Sequence, residues 1–352
     1  MKRILVINQY NSDNIGDNLL NEMLCLNLKR MGYNTDNVGY AQQHKQVVEY
    51  KIDDSKVNFV KLFLKRIISP WLKYQLIYKL KLNTSQKNLK KQKWDAVIIG
   101  GGQLLKHNSV FMYCFRHWIN WAKKNDIPII LHGIGVDSEL SKYEIKVYKK
   151  YLRYVQVVNC RDIETKEIMK QKFDVKAYIS PDIAFTYSNE KVGKDNKNAI
   201  LVMPYSYLTA RRSFKFNISK SQYFKTIEHK IKNIKEKEPD LKVVLAATTS
   251  DDASECYRFA EWYANSGEKC IVRKIQDSDT LFQEACKSKY MITGRMHAMI
   301  VGLIAGAKIE PILVSNKIKF FEINYLKQEI DLREISRQAF EGLEKSVKKV
   351  LF

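Results

Sequence analysis

Short apolar segments alternate with helical segments along this chain, and the alternation constrains its fold more than any other feature. Continuous apolar runs of strand length occur at residues 3–8, 94–99, 127–133 and 155–160, as is typical of parallel strands buried on both faces. Apolar residues at helical spacing predict helices from Leu19 to Leu28 and at 111–124, 141–153 and 162–173. This half of the chain is therefore predicted to be an α/β domain with a mostly parallel sheet.

A polar stretch at 187–198 follows and is predicted to be a linker, after which the alternation restarts. The second half predicts strands at 200–203, 242–247, 270–274, 290–293 and 311–314, and helices at 220–237, 251–265, 278–287, 297–304 and 334–350. We expect an α/β protein with two Rossmann-like domains, residues 1–190 and 191–352, the second including the closing helix. Ligands of such sheets bind beyond the carboxyl ends of the strands, so the active site is expected in the interdomain cleft.

The charge of the chain favours a polyanionic partner or a phosphorylated substrate. Sixty Lys and Arg against 38 Asp and Glu give a formal net charge of +22, although a solvated lysine-rich surface is the alternative. Residues 45–93 alone hold 13 basic and three acidic residues, a local net charge of +10, interleaved with an apolar stripe that includes Trp71. This insertion suits an anionic membrane surface; equally, its stripe could pack on the first domain.

Cysteine usage and the absence of long apolar segments indicate a cytoplasmic protein, with peripheral contact at the inner face of the cell membrane left open. None of the six cysteines forms a CxxC pair or a Cys/His cluster, so we predict reduced thiols and no metal site. The N-terminal apolar run is too short for a signal peptide, and no segment is long enough to cross a bilayer.

The first group of candidate site residues follows the first two predicted strands. Asn14, Gly16 and Asp17 come after residues 3–8, where Asp17 could cap the next helix or present a carboxylate to a sugar hydroxyl. Gly100, Gly101, Gly102 and Gln103 end the strand at 94–99. Three glycines allow close approach of the backbone to a ligand, but they match neither a dinucleotide fingerprint nor a P-loop.

The second group carries positive charge. Arg161 ends the strand at 155–160, and Arg295 and His297 stand where residues 290–293 meet the next helix, a favourable place for an anion. Asp182 lies in a turn and is predicted to cap it or to line the cleft, and Lys317 supplies a further cation. The alternatives are an N-capping Asp162 beside a solvated Arg161, and a structural hydrogen bond for His297.

These segments, taken in this order, resemble the polysaccharide pyruvyl transferase family over almost the whole chain. The resemblance rests on the early GD with its Leu-rich helix, D-x-V-I-I-G-G-G, the G-x-G after the third strand, R-D, P-D-x-A and G-R-x-H-A. The family usually has Leu where this chain has Met296, and often Ser where it has Thr165. Residues 308–310 look like a small insertion, which makes Lys319 an alternative to Lys317.

The resemblance implies a GT-B-like enzyme that transfers pyruvate from phosphoenolpyruvate, a co-substrate, to two hydroxyls of a sugar in a capsular, exopolysaccharide or cell-wall precursor. A cyclic ketal would form, phosphate would be released, and no cofactor is implied. By similarity, Arg161, Arg295, His297 and Lys317 would hold the donor and act on it. His297 suits the general acid, since imidazole titrates near neutral pH, and Asp17 or Asp182 could serve as the base.

The acceptor is expected on the first domain, at Asn14, Gly16, Asp17, Gly101, Gly102 and Gln103, and a lipid-diphosphate carrier for the sugar is left open. One alternative is a GT-B nucleotide-sugar-dependent glycosyltransferase, in which Arg295 and His297 would hold a diphosphate. Another is a non-catalytic, basic membrane- or nucleic-acid-binding protein. The sequence lacks RNA-binding and zinc-finger motifs, so no nucleic-acid partner is expected. Acceptor identity, ketal stereochemistry and oligomeric state stay open.

Overall fold

The structure, a computed structural model, describes residues 1–41, 92–187, 197–214 and 216–352, together with residues 79, 82, 83, 85, 86 and 89. The predicted basic insertion at 45–93 lies almost entirely outside the described residues, and so does most of the predicted linker at 187–198.

The first sheet is parallel, with six described strands in the order β2-β1-β3-β4-β5-β6. Its strands are β1 (Arg3–Asn8), β2 (Asn34–Gly39), β3 (Ala96–Leu105), β4 (Ile129–Val136), β5 (Val157–Cys160) and β6 (Tyr178–Ile179). Its helices are α1 (Ile15–Arg30), α2 (Ser109–Lys124), α3 (Lys142–Leu152) and α4 (Ile163–Phe173). The apolar runs form this sheet because both of its faces are covered: residues 4–7 of β1 are fully buried.

The second sheet is also parallel, with five described strands in the order β11-β10-β7-β8-β9. Its strands are β7 (Ala199–Met203), β8 (Lys242–Leu245), β9 (Ile271–Val272), β10 (Ser288–Thr293) and β11 (Lys308–Pro311). The helices of this half are α5 (Tyr207–Phe214), α6 (Lys220–Lys235), α7 (Ser250–Asn265), α8 (Ser278–Cys286), α9 (Met296–Ile304), α10 (Asn316–Phe321) and α11 (Leu332–Leu351). The predicted α/β class with two parallel sheets is confirmed.

Each sheet has a point where the strand order reverses, and both points matter for the site. In the first sheet β1 lies between β2 and β3, and in the second β7 lies between β8 and β10. Crevices at such reversals, outside the carboxyl ends of the strands, are where open α/β sheets bind ligands.

The closing helix α11 returns to the first sheet. Lys2 Nζ donates a hydrogen bond to the carbonyl of Leu351, and Ser346 Oγ lies 3.4 Å from His132 Nδ1 of β4. A Cβ on Gly342 would lie 2.3 Å from Ser180 Cβ, so this helix passes the first sheet too closely for a side chain. The two sheets are therefore linked by the C-terminal helix as well as by the chain between them.

The predicted strand boundaries differ most from the structure at β3 and β11. Strand β3 does not end before the glycines but continues to Leu105, with Gly100 opposite His132 and Gly102 opposite Ile134 of β4. Gly101 and Gly102 have φ of +78° and +87°, which only glycine adopts readily. Glycine at these two positions thus allows the strand to adopt its backbone conformation.

The last predicted strand, 311–314, is also misplaced. Residues Lys308–Pro311 pair with β10, with Lys308 opposite Tyr290, so residues 308–310 belong to an edge strand. Proline is tolerated at the end of an edge strand, where no ladder donor is needed. The sequence pattern also missed β2, β6, α5 and α10, which lack a long apolar run.

Candidate functional site

The loops at the carboxyl ends of the two sheets are hydrogen-bonded to each other. The amide of Ile15 donates to the carbonyl of Thr248 over 3.0 Å, and Ser250 Oγ donates to Asp13 Oδ2 over 2.5 Å. These contacts join the turn after β1 to the turn after β8. The turn that carries Asn14, Gly16 and Asp17 is therefore in contact with the second half of the chain.

Asp182 connects residues from the two halves. Its Oδ2 atom lies 3.5 Å from Arg161 Nη1 and 3.6 Å from His297 Nε2, and its Oδ1 accepts a hydrogen bond of 3.0 Å from the amide of Ala184. Burial by itself would raise the pKa of this carboxyl, but the imidazole of His297 and the guanidinium of Arg161 hold it well below its usual range. Asp182 is thus a fixed anion between the guanidinium of Arg161 and the imidazole of His297.

His297 is held tightly between this carboxylate and the first helix. Its Nε2 atom is buried against Asp182, and only a tenth of the side chain is exposed. A Cβ on Gly16 would lie 2.4 Å from His297 Nδ1. Gly16 is required for this close approach, so one of the predicted acceptor residues contacts a predicted donor residue.

Arg295 has partners that the sequence did not indicate. Its Nε and Nη2 atoms donate to the two carboxylate oxygens of Asp252 over 2.7 and 2.8 Å, and its guanidinium lies 4.0 Å from the centre of the Tyr205 ring. Asp252 is fully buried in the first turn of α7 and also accepts from the amide of Ser206. Although burial opposes it, the Asp252 carboxylate raises the pKa of Arg295, which stays charged.

Two lysines complete a cluster of cations in the cleft. Burial lowers the pKa of Lys317 to about 7, with a further contribution from the positive charge of Arg161. Burial also lowers the pKa of Lys106, which follows β3 directly. Asp17 opposes both shifts, so its carboxylate lies within electrostatic reach of both lysines. Lys319, the alternative to Lys317, is exposed.

A cavity of about 1380 Å³ opens in front of this cluster. Of the predicted site residues, Gln103, Arg161, Asp182 and Lys317 line it, and Lys106 and Tyr205 line it as well. Lys106, Tyr205 and Asp252 were missed by sequence reasoning. Lys106 and Tyr205 do follow strand ends, which is a usable signal, whereas Asp252 is one of several acidic residues in an ordinary helix start.

The predicted acceptor residues have defined local roles. Asn14, and not Asp17, is the N-cap of α1, because its side chain accepts a 3.0 Å hydrogen bond from the amide of Gly16. Asp17 lies in the first turn, where a Cβ on Gly102 would be 3.7 Å from its Oδ1. Gly101 packs against Leu20, and Gln103 Nε2 donates a hydrogen bond to Asp137 Oδ1. Their part in acceptor binding stays a prediction.

Within the described part of the chain, no group of three His, Cys, Asp or Glu side chains is arranged to hold a metal ion. No helix there has the length and apolar character that crossing a bilayer requires.

Comparison with known families decides the relationship of this chain. Residues 14–308 match the family described as polysaccharide pyruvyl transferase. The chain belongs to the polysaccharide pyruvyl transferase family. The matched range includes Arg161, Asp182, Arg295 and His297, whereas Lys317 and the closing helix lie beyond it. The resemblance expected from the sequence motifs is confirmed, and with it a role in polysaccharide biosynthesis as a transferase. No curated protein sequence matches this pyruvyl transferase family member.

Solved structures with a similar fold include several UDP-GlcNAc 2-epimerases. The Neisseria meningitidis enzyme bound to UDP-GlcNAc has a TM-score of 0.55 at 12% identity, over 99% of this chain and 100% of that one. S. aureus MnaA with UDP has a TM-score of 0.54 at 13% identity, over 99% and 91% of the two chains. The Methanocaldococcus jannaschii enzyme with UDP-GlcNAc and UDP also scores 0.54 at 13%, over 100% and 93%. The GT-B-like fold of this pyruvyl transferase family member is confirmed.

Proposed function

We propose that this protein transfers the pyruvyl group of phosphoenolpyruvate to two hydroxyls of a sugar, forming a cyclic ketal and releasing phosphate. One observation supports the proposal above the others. In the described part of the chain, neither Lys106 nor Lys317 has a carboxylate within ion-pair distance, and both face a cavity that Arg161 also lines. Cations that repel one another at the mouth of a cavity suit a small, highly charged anion such as this donor.

His297 is proposed as the general acid. Asp182 complements a positive charge at Nε2, and we assign the transferred proton to Nδ1, the nitrogen beside Gly16. The proton goes to the methylene carbon of phosphoenolpyruvate, which becomes a methyl group, while the first sugar oxygen bonds to the neighbouring carbon. Asp182 is too strongly stabilised as an anion to act as a base, so we assign that role to Asp17, near Lys106 and Lys317.

The second half of the reaction breaks the carbon–oxygen bond to phosphate. The second hydroxyl then closes the ring on the same carbon. Of the two hydroxyl protons, one restores the proton that His297 gave to the methyl group, and the other leaves with phosphate. The reaction therefore balances. Arg161 and Lys317 hold the donor and stabilise the departing phosphate, and Arg295, fixed by Asp252, orients it.

The division of the chain follows from these roles. Residues 1–190 are proposed to supply the acceptor side, and residues 191–352 most of the donor side. Arg161 and Asp182 belong to the first range and contact or face groups of the second, so we place the reaction in the cleft. The acceptor would be a capsular, exopolysaccharide or cell-wall precursor, free, nucleotide-linked or lipid-diphosphate-linked.

Incubation with phosphoenolpyruvate and a panel of free, nucleotide-linked and lipid-diphosphate-linked sugars tests the reaction. We expect phosphate release together with a product heavier by one condensed pyruvyl group, and neither with the His297→Gln variant. A product heavier by one sugar unit, with nucleotide released, would instead establish the glycosyltransferase alternative. Salt-sensitive DNA binding, with no effect of either substrate on thermal stability, would establish the non-catalytic one.

Peripheral membrane association is a separate part of the proposal. The 13 basic residues of 45–93 exceed what one small anion needs, and each basic side chain near an anionic surface contributes about 1 kcal/mol, screened by salt. We expect sedimentation with anionic vesicles at low salt, release at high salt, and weaker binding when Lys61, Lys65, Arg66 and Lys73 are replaced by Gln. Wild-type protein that ignores anionic vesicles at low salt would make this segment an ordinary solvated face.

A further inference from the structure

Lys106 is a partly buried cation in the cleft for which the described residues provide no direct ion partner. Its backbone is fixed: the carbonyl accepts hydrogen bonds from Tyr148 Oη over 3.0 Å and from the amide of Asn108 over 2.8 Å. Its ammonium lies 4.3 Å from the centre of the Phe111 ring. The side chain starts from a rigid strand end and lines the cavity.

The charges around Lys106 come from every part of the site. Asp17 and Asp137 favour its charged form, while Arg161 and Arg295 oppose it. Asp137 is already bound by the Gln103 side chain and, over 2.8 Å, by the amide of His107. Lys106 also acts on Lys317, whose proton it helps to repel. The positive charge of Lys106 is therefore coupled to the other cations of the site. Among the described residues, no carboxylate lies close enough to neutralise it.

A structural role would predict a different arrangement. A buried lysine retained for stability is normally paired with a carboxylate at short range, because desolvation of an unpaired charge is costly. Among the described residues Lys106 has an aromatic ring at short range and carboxylates only farther away. A dianionic group placed in the cavity between Lys106, Arg161 and Lys317 would supply the missing negative charge.

We propose that Lys106 binds the phosphate group of phosphoenolpyruvate, and retains that group as it leaves, as a cation supplied by the first sheet. This inference rests on the proposed function of the same site. It makes the first half of the chain a partner in donor binding, opposite Lys317 of the second half. Binding of the donor between the two halves of the chain then requires both lysines.

Equilibrium titration with three probes tests the proposal: phosphoenolpyruvate, inorganic phosphate and pyruvate, which carries the carboxylate without the phosphate. For Lys106→Gln we expect the dissociation constants of phosphoenolpyruvate and phosphate to rise about 10- to 100-fold, with that of pyruvate unchanged. Lys106→Arg should restore much of the loss, and Lys142→Gln, at an exposed lysine that does not line the cavity, should bind like wild type. Thermal stability of Lys106→Gln should not fall.

The outcomes separate this proposal from the proposed function. Lys106→Gln with wild-type affinity for phosphate, or with an equal loss for pyruvate, overturns the role of Lys106 while wild-type turnover still supports pyruvyl transfer. A fall in stability without a change in any dissociation constant makes Lys106 a structural residue and also overturns it. Wild-type protein that binds pyruvate and phosphate but neither binds nor consumes phosphoenolpyruvate overturns the proposed function itself.

Discussion

Arg161 and Arg295 stand at equivalent places in the two sheets, each just beyond a strand end, yet their surroundings differ. Arg295 donates two short hydrogen bonds to buried Asp252 and stacks on Tyr205. Arg161 reaches Asp182 only at 3.5 Å and Asp162 at 3.7 Å, and its buried Nε has no hydrogen-bond partner among the residues that the structure describes. The second sheet therefore presents a cation that is already satisfied, and the first presents one that is not.

This difference distinguishes an arginine that the fold already holds in place from an arginine that is available to bind a ligand. A guanidinium paired on one edge is held in a single orientation and has less to gain from a ligand. A guanidinium with loose partners gains most when an anion binds, and so do two neighbouring lysines that have no direct ion pair within the described part of the chain. We therefore expect substitutions on the Arg295 side to affect folding first, and substitutions on the Arg161 side to affect donor binding first.

The largest effect is expected from substitution of His297, which belongs to the second half of the chain and contacts Asp182 of the first. His297→Gln should lower kcat about 100- to 10,000-fold, because a general acid is removed, while exposed His229→Gln should leave it unchanged. Gly16→Ala, whose methyl group would meet Nδ1, should lower kcat in the same direction by less. Steady-state assay of phosphate release measures all three, and near-normal turnover in His297→Gln would remove this residue from the mechanism.

On the Arg295 side, Asp252→Asn should reduce the free energy of unfolding by about 3–5 kcal/mol, since it leaves a mostly buried guanidinium, with only 20% of the side chain exposed, without its counter-charge. The neighbouring Asp251 is exposed, so Asp251→Asn is the matched control. For the same reason Arg295→Ala should lose stability as well as activity. The sequence alone would suggest an intact fold for this variant. Urea denaturation distinguishes the variants, and an Asp252→Asn protein as stable as wild type would contradict the comparison.

Substitution of Arg161, whose ion partners are more distant, should affect donor binding more than stability. Arg161→Gln should weaken donor binding by about 1.5–3 kcal/mol, seen as a higher KM for phosphoenolpyruvate, with a smaller change in stability than Asp252→Asn. Asp182 keeps His297 and the amide of Ala184 as partners in this variant. An unchanged KM together with a loss of stability would show that Arg161 is a structural residue.

The smallest effect concerns Lys317 and pH. With its pKa lowered to about 7 in the folded protein, this lysine loses its proton as pH rises through 7, so donor affinity should decline above that pH. An unfolded chain binds this proton up to a higher pH, near the ordinary lysine value, so the cost of charging Lys317 in the fold is present below pH 7 and is relieved as pH rises above it.

Lys317→Met should accordingly stabilise the protein at pH 6.5 by about 0.5–2 kcal/mol while abolishing the pH dependence of donor binding. Lys319→Met, on the same helix but exposed, should do neither. Thermal unfolding and titration with phosphoenolpyruvate at pH 6.5 and 8.5 give both readouts. A less stable Lys317→Met protein would mean that the charge of Lys317 is compensated in the fold.

The sequence predicted the parts of this molecule that depend on local pattern. Buried strands such as β1 can be recognised from their apolar runs, and the helix predicted at 141–153 is present as α3 (Lys142–Leu152). The polar edge strand β2 and the strand at 308–311 escaped prediction because pairing with a neighbour, and not composition, makes them strands.

The candidate site divides in the same way. Residues at strand ends, such as Arg161 and His297, could be found because parallel strands bring their carboxyl ends to one edge. The partnership of Arg295 with Asp252, 43 positions away, depends on how the fold brings the first turn of α7 next to the residues that follow β10. No spacing rule predicts such a pairing, and it is what changes the expected effect of replacing Arg295.

Co-crystallisation with phosphoenolpyruvate tests the central claim most directly. The account predicts the phosphate of the donor between Lys106, Arg161 and Lys317, its methylene carbon turned toward His297, and the Arg295–Asp252 pair unbroken. An ordered donor that breaks the Arg295–Asp252 pair, or one bound elsewhere while the three cations contact only water, would contradict it.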